Sequence, residues 1–318
     1  MYEDLKALAS AQGGAVTRRQ ARDCGLPTSE IDYLVRRGKW VAIRRGAYVE
    51  RDMHDGFTAD EHSRALIHAV VLALRVPAVV SHVSAALLHG LPVWGLDLTD
   101  VHVSRRDLHS PRREAGVHHH AGELLDHEIV TIDGLAVTSL PRTMIDTARI
   151  SAFEPSVVAA DAAVRAEPTV KQAMLARLNQ MRDWPGSRNA GAVAEFADGR
   201  SESVGESRGR VLIRRAGLPR PELQYEVRDR WDNLIGRADY AFTEERTLGE
   251  FDGKGKYLAS YRPGEDSGDV VWREKRREDR LRHEGFEVVR FTWADLDHPA
   301  RVGGRFRDAF ARAKRAGH

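Results

Sequence analysis

The stretch "TLGEFDGKGKY", residues 247–257, places two carboxylates, Glu250 and Asp252, at the end of a predicted strand. Residues two apart in a strand project from the same face of a sheet, so both carboxylates are expected to point the same way. Lys254 joins that face if the strand continues. Oxygen ligands of this type bind Mg²⁺ or Mn²⁺, which lowers the pKa of a bound water and polarises a phosphate.

The segment from about residue 203 predicts the order helix, strand, strand, strand, helix, strand. Glu206 lies in the first predicted helix, and Asp239 lies in the middle strand. Asp239, Glu250 and Asp252 are therefore expected to converge as metal ligands. Glu206 would supply a fourth carboxylate, and Lys254 would position the attacking water. The alternative interpretation is a set of solvated charges on an edge hairpin.

This order of motifs resembles the PD-(D/E)xK nuclease superfamily, and in particular the branch akin to very-short-patch repair endonucleases. The resemblance covers residues 203 to about 297 and rests on the Asp239 strand, the Glu-x-Asp-Gly strand end and a set of flanking positions: Glu206, Ser207, Arg210, Gly285, Val288 and Arg290. It implies a restriction-endonuclease-like α/β domain in which Asp239, Glu250 and Asp252 hold the metal. Two features depart from the family pattern. The superfamily's Glu-x-Lys is Glu-x-Asp here, and "KGKY" (254–257) replaces a histidine that follows Asp-Gly in the branch.

Residues 1–52 predict three short helices and a two-stranded hairpin. Thr17 is a suitable N-cap for the second helix, Thr28 or Ser29 for the third, and Gly46 forms the turn of "WVAIRRGAYV" (40–49). This is the winged helix-turn-helix plan, in which the third helix enters the major groove and the wing contacts the backbone or minor groove.

The basic residues of this head cluster on the elements that would face DNA. The chain carries a net charge of only +2, so its arginine clusters are local features. The expected contacts with DNA come from the start of the second helix, the third helix and the wing: Arg18, Arg19, Ser29, Arg36, Arg37, Arg44 and Arg45. A small module for protein interactions is the alternative.

Residues 53–181 predict a mixed α/β domain, and residues 182–202, rich in Pro, Gly, Ser and Asn, predict a linker to the third domain, 203–318. The run His118-His119-His120 allows at most two histidines on one face, so an exposed strand near a turn is favoured over a metal site. Ser81 is expected as a helix cap, since no Gly-x-Ser-x-Gly motif surrounds it.

The first two segments resemble the antitoxins of abortive-infection type IV toxin–antitoxin systems over residues 3 to about 170. The resemblance rests on the winged head, "SHVSAALLHGLPVW" (81–94), "GLAVTSLPRTMIDTAR" (134–149) and "VVAADAAVR" (157–165). It implies a head that binds operator DNA and represses its own promoter. It also implies a nucleotidyltransferase-like toxin as the partner.

The sequence as a whole predicts an α/β multidomain protein of the cytoplasm. Cys24 is the single cysteine, so no disulfide within the chain is possible, and neither a signal peptide nor a membrane span is apparent. One expected function is binding of double-stranded DNA together with Mg²⁺- or Mn²⁺-dependent cleavage, in defence or DNA processing. The alternative is a non-enzymatic antitoxin and autorepressor that carries an inactive nuclease fold.

Overall fold

The computed structural model describes residues 3–253 and 276–316. Lys254, the predicted water-positioning residue, lies outside the described residues. The chain divides into two compact units. The first comprises Met1–Ala163 and Glu167–Ala197, and the second comprises Val164–Ala166 and Asp198–His318. No helix of the described part is long and apolar enough to cross a bilayer.

The N-terminal head has the predicted three helices and hairpin. Its elements are α1 (Glu3–Ala11), β1 (Val16–Thr17), α2 (Arg18–Asp23), α3 (Thr28–Arg36), β2 (Trp40–Arg44) and β3 (Ala47–Glu50), with sheet order β1-β3-β2. Thr17 is the N-cap of α2, as predicted, and it forms a reciprocal capping box with Gln20. The cap of α3 was predicted wrongly, because Pro27 occupies the N-cap position and makes no side-chain cap hydrogen bond.

The head shares a hydrophobic core with the next part of the chain. Two helices follow β3, namely α4 (Arg51–Asp55) and α5 (Ala59–Ala73). A cluster of small side chains joins the head to α5: Ala15, Ala47, Val49, Ala65 and Ala69. Small residues let the two backbones approach closely, and the head is therefore part of the first unit.

A six-stranded sheet forms the centre of the first unit, with strand order β6-β7-β5-β4-β9-β8. The strands are β4 (Val79–Val80), β5 (Val101–Arg105), β6 (Arg112–Glu114), β7 (Val117–Ala121), β8 (Ile129–Ile132) and β9 (Leu135–Thr138). The pairs β5–β7 and β4–β9 are parallel and the others are antiparallel. Since β7 lies between β6 and β5, the expectation of an exposed strand was wrong, and His119 is only 3% exposed.

Five α-helices lie between residues 82 and 196, and the last of them falls in the segment predicted to be a linker. They are α6 (His82–Leu88), α7 (Leu140–Ile150), α8 (Phe153–Ala166), α9 (Val170–Leu178) and α10 (Ser187–Phe196). Helix α10 packs on α7 and α9. Asn189 holds it there, because its side-chain amide donates to the carbonyls of Ala148 (2.7 Å) and Ser151 (3.1 Å) at the end of α7.

A buried arginine links several of these elements. Arg142 on α7 donates to Glu128 at 2.8 Å and to Asp146 at 2.8 Å. Its guanidinium lies 5.3 Å from the ring centroid of Trp184, in the chain leading to α10. Arg177 on α9 donates to Glu128 at 2.8 Å. One buried charge network therefore joins α7, α9, the turn before β8 and the segment before α10.

Arg142→Ala should lower the free energy of unfolding of the first unit by about 3–5 kcal/mol, because it removes the buried cation that Glu128 and Asp146 share and leaves each carboxylate with one arginine partner. Arg106→Ala is the matched control. Arg106 pairs with Asp126 at 2.6 Å but is 51% exposed, against 3% for Arg142, so its loss should cost at most about 1 kcal/mol. Urea unfolding followed by circular dichroism measures both, and equal effects would contradict the structural role of Arg142.

The second unit has the predicted order of elements. Its elements are α11 (Val204–Arg215), β10 (Glu222–Arg228), β11 (Leu234–Phe242), β12 (Thr247–Asp252), α12 (described over 276–283), β13 (Glu287–Thr292) and α13 (Pro299–Ala316). The sheet order is β10-β11-β12-β13, antiparallel except for the parallel pair β12–β13. The core cluster of this unit includes the aromatic side chains Tyr240, Phe251, Phe291 and Phe306.

Two glycines bring α11 close to this sheet. A Cβ at Gly205 would overlap Phe251, and a Cβ at Gly209 would overlap the hydroxyl of Tyr240. The close approach lets the Tyr240 hydroxyl donate to the carbonyl of Glu206 at 2.7 Å. The hydrogen bond from the Tyr240 side chain thus ties the α11 backbone at Glu206 to β11.

Candidate functional site

The residues expected to bind DNA lie on α2, α3 and the β2–β3 hairpin. Most of these side chains are exposed, and two of them, Arg18 and Arg44, are partly buried. The exposed ones are Arg19, Ser29, Arg36, Arg37 and Arg45. The guanidinium of Arg37 lies 5.5 Å from the ring centroid of Tyr33, itself an exposed side chain of α3. The head therefore presents cationic and aromatic groups on α3 and cationic groups on the wing.

Arg18 differs from the other arginines because its guanidinium is bound within the head. It donates to Asp32 on α3 at 2.6 Å and to the Tyr48 hydroxyl on β3 at 3.1 Å. The hydrogen bond to Asp32, followed by that to Tyr48, raises the pKa of Arg18. Arg18 thus links α2, α3 and the wing. The carboxylate of Asp32 offsets part of the charge that was expected to contact phosphate.

The carboxylates of the predicted metal site lie on three elements of the second unit. Asp239 is on β11, Glu250 and Asp252 are on β12, and Glu206 is on α11. Asp239 Oδ2 accepts a hydrogen bond from the backbone amide of Phe251 at 2.8 Å. The antiparallel pairing of β11 with β12 therefore places the Asp239 carboxylate against the stretch that carries Glu250 and Asp252.

Glu250 is bound by two guanidinium groups. Arg277 on α12 donates to Oε1 at 2.6 Å, and Arg290 on β13 donates to Oε2 at 3.0 Å. The Glu250 side chain is only 13% exposed, so these charge-assisted hydrogen bonds are little screened by water. Arg290 stands directly beside Glu250 in the parallel register and also pairs with Glu278 at 3.1 Å. Both oxygens of Glu250 thus have cationic partners within the protein.

Glu206 is buried and serves the start of α11. Its carboxylate accepts hydrogen bonds from the amide of Glu202, the hydroxyl of Ser203 and the side-chain amide of Gln224, each at 2.8 Å. Ser203 in turn accepts from the amide of Glu206 at 3.2 Å as the N-cap of the helix. These contacts make Glu206 a residue that caps the start of α11, and both of its carboxylate oxygens already accept hydrogen bonds.

The closest grouping of potential metal ligands is in the first unit. Across residues 3–253 and 276–316, three or more ligand atoms of His, Cys, Asp or Glu lie mutually within 4.8 Å only at His82, His102 and His120. Ser81, expected as a helix cap, makes no side-chain cap hydrogen bond. Its hydroxyl lies 2.9 Å from Nδ1 of His82 instead.

Sequence reasoning missed the partners that engage these side chains. Arg277 and Arg290 were visible only as members of a charged helix and a "V-x-R" motif. His82 and His102 are far from His120 in sequence, and nothing in their local pattern marks them as neighbours. The parallel pairing of β5 with β7 brings His102 close to His120. The antiparallel pairing of β4 with β5 brings His82, which follows β4, to the same place.

The comparisons with known proteins agree with the geometry of the head. Residues 3–51 match the model of the family described as "Transcriptional regulator, AbiEi antitoxin". This match confirms the predicted antitoxin resemblance for the head. Two uncharacterized proteins, from two strains of Mycobacterium tuberculosis, are each 27% identical to the chain over 202 residues, which is 63% of this chain and 70% of each relative.

Proposed function

We propose that this protein is a DNA-binding transcriptional regulator of the antitoxin type, whose head binds duplex DNA. The observation that carries the proposal is the winged helix-turn-helix of residues 3–51, which coincides with the family match and has exposed arginines on α3 and the hairpin. In this fold α3, which is the second helix of the helix-turn-helix, enters the major groove, and the wing contacts the flanking DNA backbone.

The head residues divide into three roles. Ser29, Arg36 and Arg37 on α3 reach base edges and phosphates in the major groove, and Arg45 in the hairpin turn contacts the flanking backbone. Arg18 positions α3 against the wing through Asp32 and Tyr48, because its guanidinium already bonds to both. The proposal thus assigns Arg18 a positioning role and gives phosphate contact to the exposed arginines.

The antitoxin resemblance also supports a specific protein partner and a specific DNA target. We propose that the protein represses its own promoter, and that a nucleotidyltransferase-like toxin is its protein partner. A toxin-like reading frame beside the gene would support this extension. Co-purification of that toxin with the full-length chain, and loss of its toxicity on co-expression, tests the partner directly.

Replacing Arg36 and Arg37 with alanine should weaken DNA binding and flatten its dependence on salt. Each lost phosphate contact should reduce the slope of log K against log [salt] by about 0.9, so two contacts give a change of about 1.8. Fluorescence anisotropy with a labelled duplex at several salt concentrations measures the slope. An unchanged slope would contradict the assignment of α3.

The matched control is Arg112→Ala with Arg113→Ala, on β6 of the same unit. Both are exposed and adjacent in sequence, and each pairs with a carboxylate, with Glu114 at 3.6 Å and with Asp100. The control removes two positive charges, as the α3 variant does, but they lie outside the residues expected to contact DNA. The slope should therefore equal that of wild type, and any change in slope that both variants share reflects the lower net charge alone.

A second candidate function is metal-dependent DNA cleavage by the second unit. The observation that favours it is the position of Asp239 against the β12 stretch of Glu250 and Asp252. Carboxylate oxygens suit Mg²⁺ or Mn²⁺. However, Glu250 is held by Arg277 and Arg290, so those guanidiniums would have to release it before it could bind a metal. When bound, the metal would polarise a phosphodiester and activate water.

Incubation with supercoiled plasmid in Mg²⁺ or Mn²⁺ tests this candidate. If the protein is a nuclease, the wild-type chain should nick or linearise the plasmid, and the Asp239→Ala/Glu250→Ala double variant should not. The double variant should still bind DNA, because the head is unchanged. Binding by both proteins without cleavage by either would remove the nuclease candidate and leave the regulator.

A further inference from the structure

Four histidines meet beside the central sheet of the first unit. His102 on β5 and His118 on β7 are register partners in the parallel pair, and His120 lies two residues further along β7 on the same face. His82 is the first residue of α6. The ring centroids of His82 and His120 lie 3.6 Å apart, and those of His118 and His120 lie 4.1 Å apart.

Three of these rings bring nitrogen atoms together. His102 Nδ1 lies 2.9 Å from His120 Nε2, and ligand nitrogens of His82, His102 and His120 are all within 4.8 Å of one another. In a tetrahedral zinc site with bonds of about 2.0–2.1 Å, ligand nitrogens lie roughly 3.3–3.4 Å apart. The nitrogens thus need only small side-chain movements to reach that spacing. The near-parallel rings of His82 and His120, at 16°, must also turn so that both nitrogens point at one ion.

His82 is held in an unusual backbone conformation at this place. Its φ is +54°, in the left-handed region that non-glycine residues seldom adopt. Such conformations persist where surrounding structure fixes them, and they concentrate at functional sites. The Ser81 hydroxyl, 2.9 Å from Nδ1, fixes the ring and leaves Nε2 as the nitrogen available to a ligand.

The electrostatic environment keeps these imidazoles neutral, which is the form that binds metal. Burial lowers the pKa of His102 to about 4, with His118 contributing. Burial and the neighbouring His102 hold the pKa of His82 well below its ordinary value, and burial followed by His82 lowers the pKa of His120. Each ring needs only to carry its one proton on the nitrogen that faces away from the ion.

We propose that His82, His102 and His120 form a binding site for one divalent transition-metal ion of the zinc class. Three imidazoles suit zinc, nickel or copper and leave a fourth position for water or another ligand. Ser81 orients His82 from outside the ligand set. The site is in the first unit and uses none of the carboxylates of the second unit, so it is independent of the nuclease candidate.

Titration of the full-length chain with Co²⁺ tests the site, since tetrahedral Co²⁺ has a characteristic visible absorption. The Asp239→Ala/Glu250→Ala variant is the starting protein, because it lacks two of the three predicted metal ligands of the second unit. One Co²⁺ per chain should bind, and Zn²⁺ should displace it. Zn²⁺ should also raise the melting temperature, and a chelator should reverse that rise.

In this background His102→Ala and His120→Ala should abolish the Co²⁺ absorption. Ser81→Ala should weaken binding by about 10–100-fold, as is typical for a lost partner of a ligating histidine. His109→Ala is the matched control, because His109 is an exposed histidine of the same unit, and its variant should bind like the starting protein. Ser81→Ala also tests the site should a histidine variant fail to fold.

Absence of stoichiometric binding by the starting protein would overturn the proposal. Equal binding by the starting protein and the variants at His102, His120 and Ser81 would overturn it as well. Loss of binding in these variants, with binding kept by His109→Ala, would establish the site.

Discussion

The buried guanidinium of Arg142 is the constraint on which the first unit depends. Removing a charge from water costs several kcal/mol unless partners replace the lost hydration. Glu128 and Asp146 provide those partners at 2.8 Å each, and Trp184 covers the guanidinium. Because these residues come from the turn before β8, from α7 and from the chain beyond α9, satisfying one cation fixes the arrangement of three parts of the fold.

The same network places positive charge near His82 of the histidine cluster. Arg142 and Arg149 both contribute to lowering the pKa of His82, after burial and His102. Arg149 pairs with Asp146 at 3.1 Å, which places that carboxylate between the two guanidiniums. The second unit shows the reverse arrangement, since its largely buried carboxylate, Glu250, is matched by two arginines. In each unit, then, a buried charge is matched by oppositely charged residues of the same unit.

Local patterns in the sequence predicted local structure well. The capping box of Thr17 and the Gly46 turn depend on neighbours within a few residues, so the head could be predicted from them. The element order of the second unit also followed from periodicity and glycine positions. The composition of residues 182–202 indicated a linker with one short helical piece. That piece is α10, and its packing depends on carbonyl partners of Asn189 at the end of α7, some 40 residues earlier in the chain, which the composition could not indicate.

The candidate sites could be predicted only in part, because their chemistry depends on contacts distant in sequence. The spacing of Glu250 and Asp252 identified the residues but could not show that Arg277 and Arg290 bind Glu250. The sequence shows His118-His119-His120 as a run, yet only His120 of the three shares the group of potential metal ligands with His82 and His102. Strand pairing, which the sequence leaves open, decides which side chains share a site.

The most direct test of this account compares the affinity of the full-length protein for two duplexes of equal length at one salt concentration. One carries the DNA upstream of its own reading frame, and the other has an unrelated sequence. A regulator whose head reads the major groove should prefer the upstream duplex by about 10³-fold or more. Equal affinity for both duplexes, or no binding to either, would contradict the central claim.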